Sequence, residues 1–416
     1  MSQVRYPEQV NQGRLNIELA ERHMSALMKV RERFTTEKPF QGLTIGMALH
    51  VTKETAVLVR TLRDGGAKVV ITGCNPLSTQ DDVAAALAEE DGVEVFAYKG
   101  ETNEEYYAFL RSVLDEKPDI TIDDGCDLVT ELHANYPHLL KTVIGGCEET
   151  TTGIQRLRAM ERYGALKFPV IAVNDNKTKH LMDNYYGTGQ STLDGLLRST
   201  NILLAGKVLV VVGYGSCGKG VAMRARGMGA NVIVTEVDSF TALQAKMDGF
   251  RVMPMMDAVT EGDIYITVTG NIHVIDGHHM EQMKDGVILA NSGHFDSEIN
   301  LKVLEEKANS KRRVRHYLDE YTFADKVIFV AGEGRLVNLV SAEGHPSEVM
   351  SLSFCGQALA CEYLVNNKGK LSAGVHVLPA EIDDTIAKMQ LEAMGVGIDV
   401  LTKEQVVYLD LWQQGT

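Results

Sequence analysis

The sequence predicts an α/β protein: two doubly wound parallel-sheet domains followed by a small helical segment at the C-terminus. Two observations carry this reading. Short apolar runs alternate with amphipathic stretches through both halves of the 416 residues, and a glycine-rich turn joins an apolar run to a helical pattern near the middle of the chain. Alternation of this kind lays parallel strands side by side with helices on both faces.

In the first half the strand-like runs are Leu43–Leu49, Lys68–Thr72, Val93–Phe96, Asp119–Ile122 and Pro169–Val173. Helical patterns cover Thr55–Asp64 and Asp81–Glu90, and another opens at Thr102, where Glu105 completes a capping box. Glu148 to Thr152 reads as a loop between elements. In the second half Val208–Val212, Val232–Thr235, Ile264–Val268, Val287–Ala290 and Val327–Val330 read as strands, and the residues after about 346 as helical and irregular.

The stretch Val208–Gly220 carries Gly213-x-Gly215-x-x-Gly218 between strand and helix, and the next apolar run ends on Glu236, 18 residues past the third glycine. Dinucleotide binding requires this order, which makes the second half a Rossmann domain. Gly213 permits the tight turn, Gly215 lets the backbone approach a pyrophosphate, and Gly218 lets helix and strand close up. Free amides at the helix N-terminus face the phosphates. A carboxylate at Glu236 accepts from both ribose hydroxyls and repels a 2′-phosphate, so the cofactor expected is NAD rather than NADP. Cys217, at an x position of the turn, reads as packing.

A net charge of −15, with acids spread along the chain, argues against nucleic-acid and anionic-membrane partners. The one basic cluster, Lys311–Arg315, lies beside Asp319 and Glu320 and reads as a solvated surface turn. No apolar stretch reaches the length of a membrane span and the N-terminus lacks a signal core, so a cytoplasmic protein is expected. Cysteines 74, 126, 147, 217, 355 and 361 show no metal-ligand spacing; free thiols and no metal are expected. His273, His278 and His279 read as surface residues.

Sheets of this type bind ligands beyond the carboxyl ends of their strands. Polar residues crowd those ends: His50, Thr52 and Glu54, then Cys74 and Asn75, then Asp123 and Asp124, then Asn174, Asp175, Lys177 and Lys179. One such residue alone is commonly a cap. Several sets along one edge point to a polar small-molecule site, with the active site between it and the dinucleotide.

These residues belong to an ordered series of segments: Leu49–Thr55, Cys74–Asp81, Lys99–Tyr106, Asp123–Asp127, Glu148–Gly153, Asn174–Lys179, Asp183–Asn184, Gly213–Gly220, Glu281–Lys284, Gly293–Asp296, Glu333–Asn338, Gly344–Ser347 and Gly374–Pro379. Through them the chain resembles the S-adenosyl-L-homocysteine hydrolase family over nearly its whole length. The resemblance implies reversible hydrolysis of S-adenosyl-L-homocysteine to adenosine and L-homocysteine. Bound NAD oxidises the ribose 3′-hydroxyl, C4′ loses a proton, homocysteine is eliminated, water adds, and the ketone is reduced again.

It also implies roles. Lys179, expected to be partly neutral, takes the 3′-hydroxyl proton with Asp183 as partner. Glu149 holds the ribose hydroxyls and Asp124 is the C4′ base. His50 and His294 transfer protons at the 5′ side. Asn184 positions nicotinamide and sugar; Thr52, Glu54 and the loop around His345 form the adenine pocket, with Gln80 nearby and Met350 also against substrate. The cofactor set is Thr150, Thr151, Thr152, Asn184, Gly213, Gly215, Ser216, Cys217, Gly218, Glu236, Val237, Thr269, Gly270, Asn271, Gly293, His294 and Asn338. Asp123 and Glu148 read as structural neighbours and Lys177 as a surface lysine. The implied organisation is a substrate domain of residues 1–184 and 347–378, an NAD domain of 185–346, and an oligomerisation segment of 379–416 in a homotetramer, with hinges near 184–190 and 340–347.

Four departures stand out. Thr188 occupies a place where the family usually has cysteine, Thr241 one where it often has asparagine, and Ala48–Thr52 replaces Cys-Leu-His-Met-Thr. The sequence stops at Thr416 without the Lys/Tyr-bearing tail, the compact form, for which looser NAD retention is expected. Three alternatives stay open: a hydrolase for S-inosyl-L-homocysteine, a conventional NAD-dependent dehydrogenase, and a non-catalytic NAD or nucleoside sensor. Glu54 favours adenine, since a carboxylate accepts from its amino group and repels an oxo group.

Overall fold

The computed structural model describes residues 2–413, so Met1 and the last three residues of the expected oligomerisation segment lie outside the described residues. Six strands come from the first part of the chain: β1 (Thr44–Ala48), β2 (Lys68–Thr72), β3 (Val93–Phe96), β4 (Ile120–Asp123), β5 (Gly145–Glu148) and β6 (Pro169–Ala172). Eight follow: β7 (Val208–Val212), β8 (Asn231–Thr235), β9 (Arg251–Val252), β10 (Ile264–Thr267), β11 (Val287–Asn291), β12 (Ser310–Arg315), β13 (Leu318–Thr322) and β14 (Val327–Ala331); β15 (Gly374–His376) comes last. They form two sheets, in the orders β15-β6-β5-β4-β1-β2-β3 and β12-β13-β14-β11-β10-β7-β8-β9.

The first sheet is parallel throughout. Its apolar runs are buried because helices cover both faces. On one face Leu27, Phe34, Leu58 and Phe354 close a core over Ile45, Val69 and Ile71. On the other, Phe109, Leu110, Leu132 and Phe168 pack under Val70 and Val170. The helix Asn103–Asp115 begins at the expected capping box, Thr102 accepting from the Glu105 amide and Glu105 from the Thr102 amide.

Three elements differ from the sequence reading. Glu148 ends a strand rather than lying in a loop: β5 reads Gly-Gly-Cys-Glu, without the β-branched residues that mark strands. It is glycine-rich because its neighbours press close; a Cβ on Gly145 would lie 2.7 Å from Leu364 Cδ2, and one on Gly146 2.6 Å from Thr121 Oγ1. The basic cluster is a solvated edge strand, β12, not a turn, and it pairs antiparallel with β13. Its charges are matched across the hairpin and beside it, Lys311 to Glu305, Arg312 to Glu320, and Arg313 to Asp319 and Glu333. Finally, β15, in a stretch read as helical and irregular, adds a seventh strand to the first sheet, in whose core the helix Ser347–Asn366 packs. The following helix, Ala380–Ala393, seats Ile386 in the same core.

All six cysteines are free thiols. Among the described residues no helix is long and apolar enough to cross a membrane.

Candidate active site

The strand order reverses once in each sheet, between the parallel neighbours β1 and β4 in the first and β7 and β10 in the second. Ligand crevices open at such switch points. The two open toward each other, forming one cavity of about 1440 Å3 lined from both sheets and from the helix Ser347–Asn366.

On the first wall, His50 follows β1, Asp124 follows β4, Glu149 follows β5 and Asn174 follows β6. Asp124 stands between two imidazoles: His50 Nε2 is 3.5 Å from its Oδ2 and His294 Nδ1 3.5 Å from its Oδ1. His294 reaches across from the second wall over Gly125, where a Cβ would lie 2.3 Å from its Nε2. Burial, partly offset by Asp124, pushes His50 down to about 4, so it is neutral at physiological pH. Its Nδ1 meets Ser78 Oγ at 2.7 Å. One nitrogen from each histidine and one Asp124 oxygen lie within 4.8 Å of one another, a donor set that could also close on a cation.

Deeper in, a π-helical segment, Lys179–Gly187, presents Lys179, Asp183 and Asn184 together. Such segments recur at functional sites. Lys179 Nζ is 2.5 Å from Asp183 Oδ2, 2.8 Å from Asn184 Oδ1 and 3.2 Å from Glu149 Oε1. Burial works against this ammonium, but Asp183 and then Glu149 outweigh it and hold Lys179 above the ordinary lysine range. The expectation of a partly neutral lysine is therefore corrected: two carboxylates at contact distance stabilise its charge. Burial also works against the Asp183 carboxylate, yet His345 and Lys179 hold it well below the usual range. His345 Nδ1 is 2.5 Å from Asp183, and its Nε2 is 3.2 Å from Thr188, whose hydroxyl donates to Cys217 Sγ at 3.4 Å. Burial raises Glu149, with Lys179 opposing, and its carboxyl accepts from Ser353 and from Gln357 Nε2 at 2.5 Å.

The second wall has the geometry the three glycines predict. Gly213 has φ +103°; a Cβ on Gly218 would lie 2.1 Å from Gly213 O; and one on Gly215 would meet nothing within 4 Å, leaving open space beside the first turn of the helix Ser216–Gly227. Two further glycines, unnoticed in sequence, bring this helix against the helix Thr188–Thr200: a Cβ on Gly189 would lie 2.6 Å from Gly220 backbone. Glu236, at the end of β8, accepts from the amides of Tyr214 and Val237. Thr269 and Gly270 are held by Glu298.

Beyond β1 Thr52 caps the helix Lys53–Asp64, and Glu54 Oε1 accepts from Ser347 Oγ at 2.7 Å with Lys53 Nζ 3.4 Å away. Met350 and His345 stand beside them on the wall. Two of the expected contact residues do not line the cavity. Gln80 is turned to the backbone, accepting from the Lys53 amide, because its carboxamide bridges the first and second units at their rim. Gly218 lies beneath the turn, where helix meets strand. Thr150, Thr151, Thr152, Ser216, Cys217, Val237, Asn271, Gly293 and Asn338 all line it. Histidines 273 and 279 also line it; His273 is exposed, as read, whereas His279 is buried in a short helical cap.

A Rossmann unit facing a polar wall across a single cleft defines an NAD-dependent enzyme of two α/β units. Residues 184–344 match the family model for the NAD binding domain of S-adenosyl-L-homocysteine hydrolase, and residues 2–135 the model for S-adenosyl-L-homocysteine hydrolase. The chain is 60% identical over 405 residues to S-inosyl-L-homocysteine hydrolase of Methanocaldococcus jannaschii, covering 97% of each chain. It is 58% identical over 405 residues to adenosylhomocysteinase of Archaeoglobus fulgidus, covering 97% of this chain and 100% of that one. It is 57% identical over 406 residues to adenosylhomocysteinase of Aquifex aeolicus, covering 97% of each. The chain belongs to the S-adenosyl-L-homocysteine hydrolase family.

Proposed function

We propose that the protein hydrolyses S-adenosyl-L-homocysteine reversibly to adenosine and L-homocysteine. The observation that carries the purine assignment is Glu54 in the cavity wall, a carboxylate held by Ser347. It accepts and cannot donate, which matches an exocyclic amino group and repels an oxo group. Relatives of similar identity bear inosyl and adenosyl names, so overall similarity does not separate the two substrates.

NAD fits the residues present. Gly215 leaves open space at a helix N-terminus, Glu236 follows β8, and the buried Asn338 Oδ1 has no partner among the described residues, an acceptor free for a carboxamide N–H. Gly213, Gly215 and Ser216 would hold the pyrophosphate, Glu236 the adenosine ribose, and Asn338 with Thr150–Thr152 the nicotinamide end. When bound, NAD supplies the two-electron oxidant for a ribose 3′-hydroxyl.

Glu149 binds the ribose hydroxyls, and Lys179 manages the 3′-oxygen proton. Because Lys179 rests as an ammonium, it must shed a proton before it can accept one from the 3′-oxygen. Asp124 removes the C4′ proton, which an adjacent 3′-ketone acidifies. His50, neutral, and His294 exchange protons with the departing sulfur and entering water. The division into residues 1–184 with 347–378, 185–346 and 379–416 is part of this reading, as is a cytoplasmic homotetramer; Val400, Leu401, Leu409 and Trp412 are exposed apolar residues in the last segment.

The test is turnover of S-adenosyl- against S-inosyl-homocysteine by NAD-loaded protein, following free thiol and 340 nm absorbance together. Thiol release from the adenosyl substrate without accumulating NADH is expected, and Glu54→Gln should narrow the preference. A preference for the inosyl substrate overturns the purine assignment; NADH accumulation with no thiol indicates a dehydrogenase.

A further inference from the structure

Asp123 and Glu148 are register partners at the carboxyl ends of the adjacent strands β4 and β5, immediately before Asp124 and Glu149. Glu148 is fully buried. Its Oε1 accepts from two amides that belong to different turns, Gly125 N at 2.8 Å and Thr150 N at 3.1 Å. Asp123 grips the same region from the other side, accepting from Asp124 N at 3.0 Å and Val129 N at 2.8 Å. Helix Thr151–Arg162 closes over the Glu148 carboxyl so tightly that a Cβ on Gly153 would lie 2.2 Å from Glu148 Cδ. Arg156 donates to Gly125 O and completes the clamp.

We propose that Glu148 is a positioning residue: its single oxygen ties the Asp124–Gly125 turn to the Glu149–Thr150 turn and sets the distance between the C4′ base and the ribose-binding carboxylate. This rests on the roles given above to Asp124 and Glu149. Both must act on one ribose ring, where a displacement of about 1 Å costs about 100-fold in rate. Burial, with Asp123 and Asp124 nearby, holds the Glu148 carboxyl well above the usual carboxylate range, and its Oε2 has no partner among the described residues.

The experiment uses the full-length NAD-loaded protein and follows exchange of the adenosine C4′ proton with D2O by NMR, alongside kcat and KM. Glu148→Gln keeps an accepting oxygen at the same reach, so exchange within about 2-fold of the native rate is expected. Glu148→Asp withdraws the carboxyl by one methylene, roughly the 1 Å displacement that costs about 100-fold, so a loss of that order in exchange and kcat is expected with KM little changed. Native exchange in a folded Glu148→Asp overturns the proposal, and so does equal damage in Glu148→Gln, which would make charge rather than grip the active property. Asp124→Asn separates the two readings. Native exchange there overturns the assignment of Asp124; exchange lost there but native in Glu148→Asp overturns the positioning role alone.

Discussion

Removing Lys179 tests the centre of the site. Lys179→Ala takes away the ammonium that contacts Asp183, Asn184 and Glu149. A positioned proton-transfer group contributes roughly 100- to 10,000-fold, or about 3–5 kcal/mol of barrier, so 3′-oxidation should fall by that factor. Stability should fall less than the roughly 3–5 kcal/mol typical of a broken buried pair. Asp183 keeps His345 at 2.5 Å, Glu149 keeps Ser353 and Gln357, and the residue faces a cavity that water can enter. A loss of about 1–3 kcal/mol, with native circular dichroism, is therefore expected. The assay is single-turnover absorbance at 340 nm with adenosine, together with denaturant melting. Lys179→Arg supplies a second reading: it keeps the charge but surrenders no proton near neutrality, so it should be as inactive as alanine while more stable. Oxidation at the native rate in either variant refutes the reasoning.

Four further outcomes are expected. Asp124→Asn should retain NADH formation from adenosine while losing roughly 100-fold or more in C4′ proton exchange with D2O, read by NMR. Gly215→Ala should weaken NAD binding in a titration while leaving the melting temperature intact, because its Cβ meets nothing within 4 Å. Gly218→Ala, whose Cβ would lie 2.1 Å from Gly213 O, should cost about 1–3 kcal/mol in stability. For His50, the folded group sits at about 4 against an ordinary 6.5, so the folded state binds fewer protons than the unfolded. Its contribution is full above pH 6.5 and is lost as pH falls toward 4, by roughly 3 kcal/mol at about 1.4 kcal/mol per pH unit. Denaturation midpoints across that window, compared with His50→Gln, should show the difference; parallel curves would contradict it.

Much of this protein was legible from local pattern. Period and apolar runs located ten of the strands, Thr102 and Glu105 marked a helix start, and three glycines with Glu236 described one wall of the cleft, because each of these features is set by residues close in sequence. β5 escaped because its glycines answer to Leu364 and Thr121 rather than to any strand propensity. Histidines 273 and 279 escaped for the same kind of reason: nothing near them in sequence shows that the second sheet turns them into the cleft.

The tertiary structure alone decided the chemistry's settings. Sequence placed Lys179 in the site and supposed it partly neutral; only the convergence of Asp183 and Glu149 shows it charged. Ser353 and Gln357 lie more than 200 residues from the Glu149 they hold, and Ser347 is 293 residues from Glu54. A group's proton affinity depends on distances of a few ångströms, and across two sheets those distances are fixed by strand order and helix packing, which no local window of sequence contains.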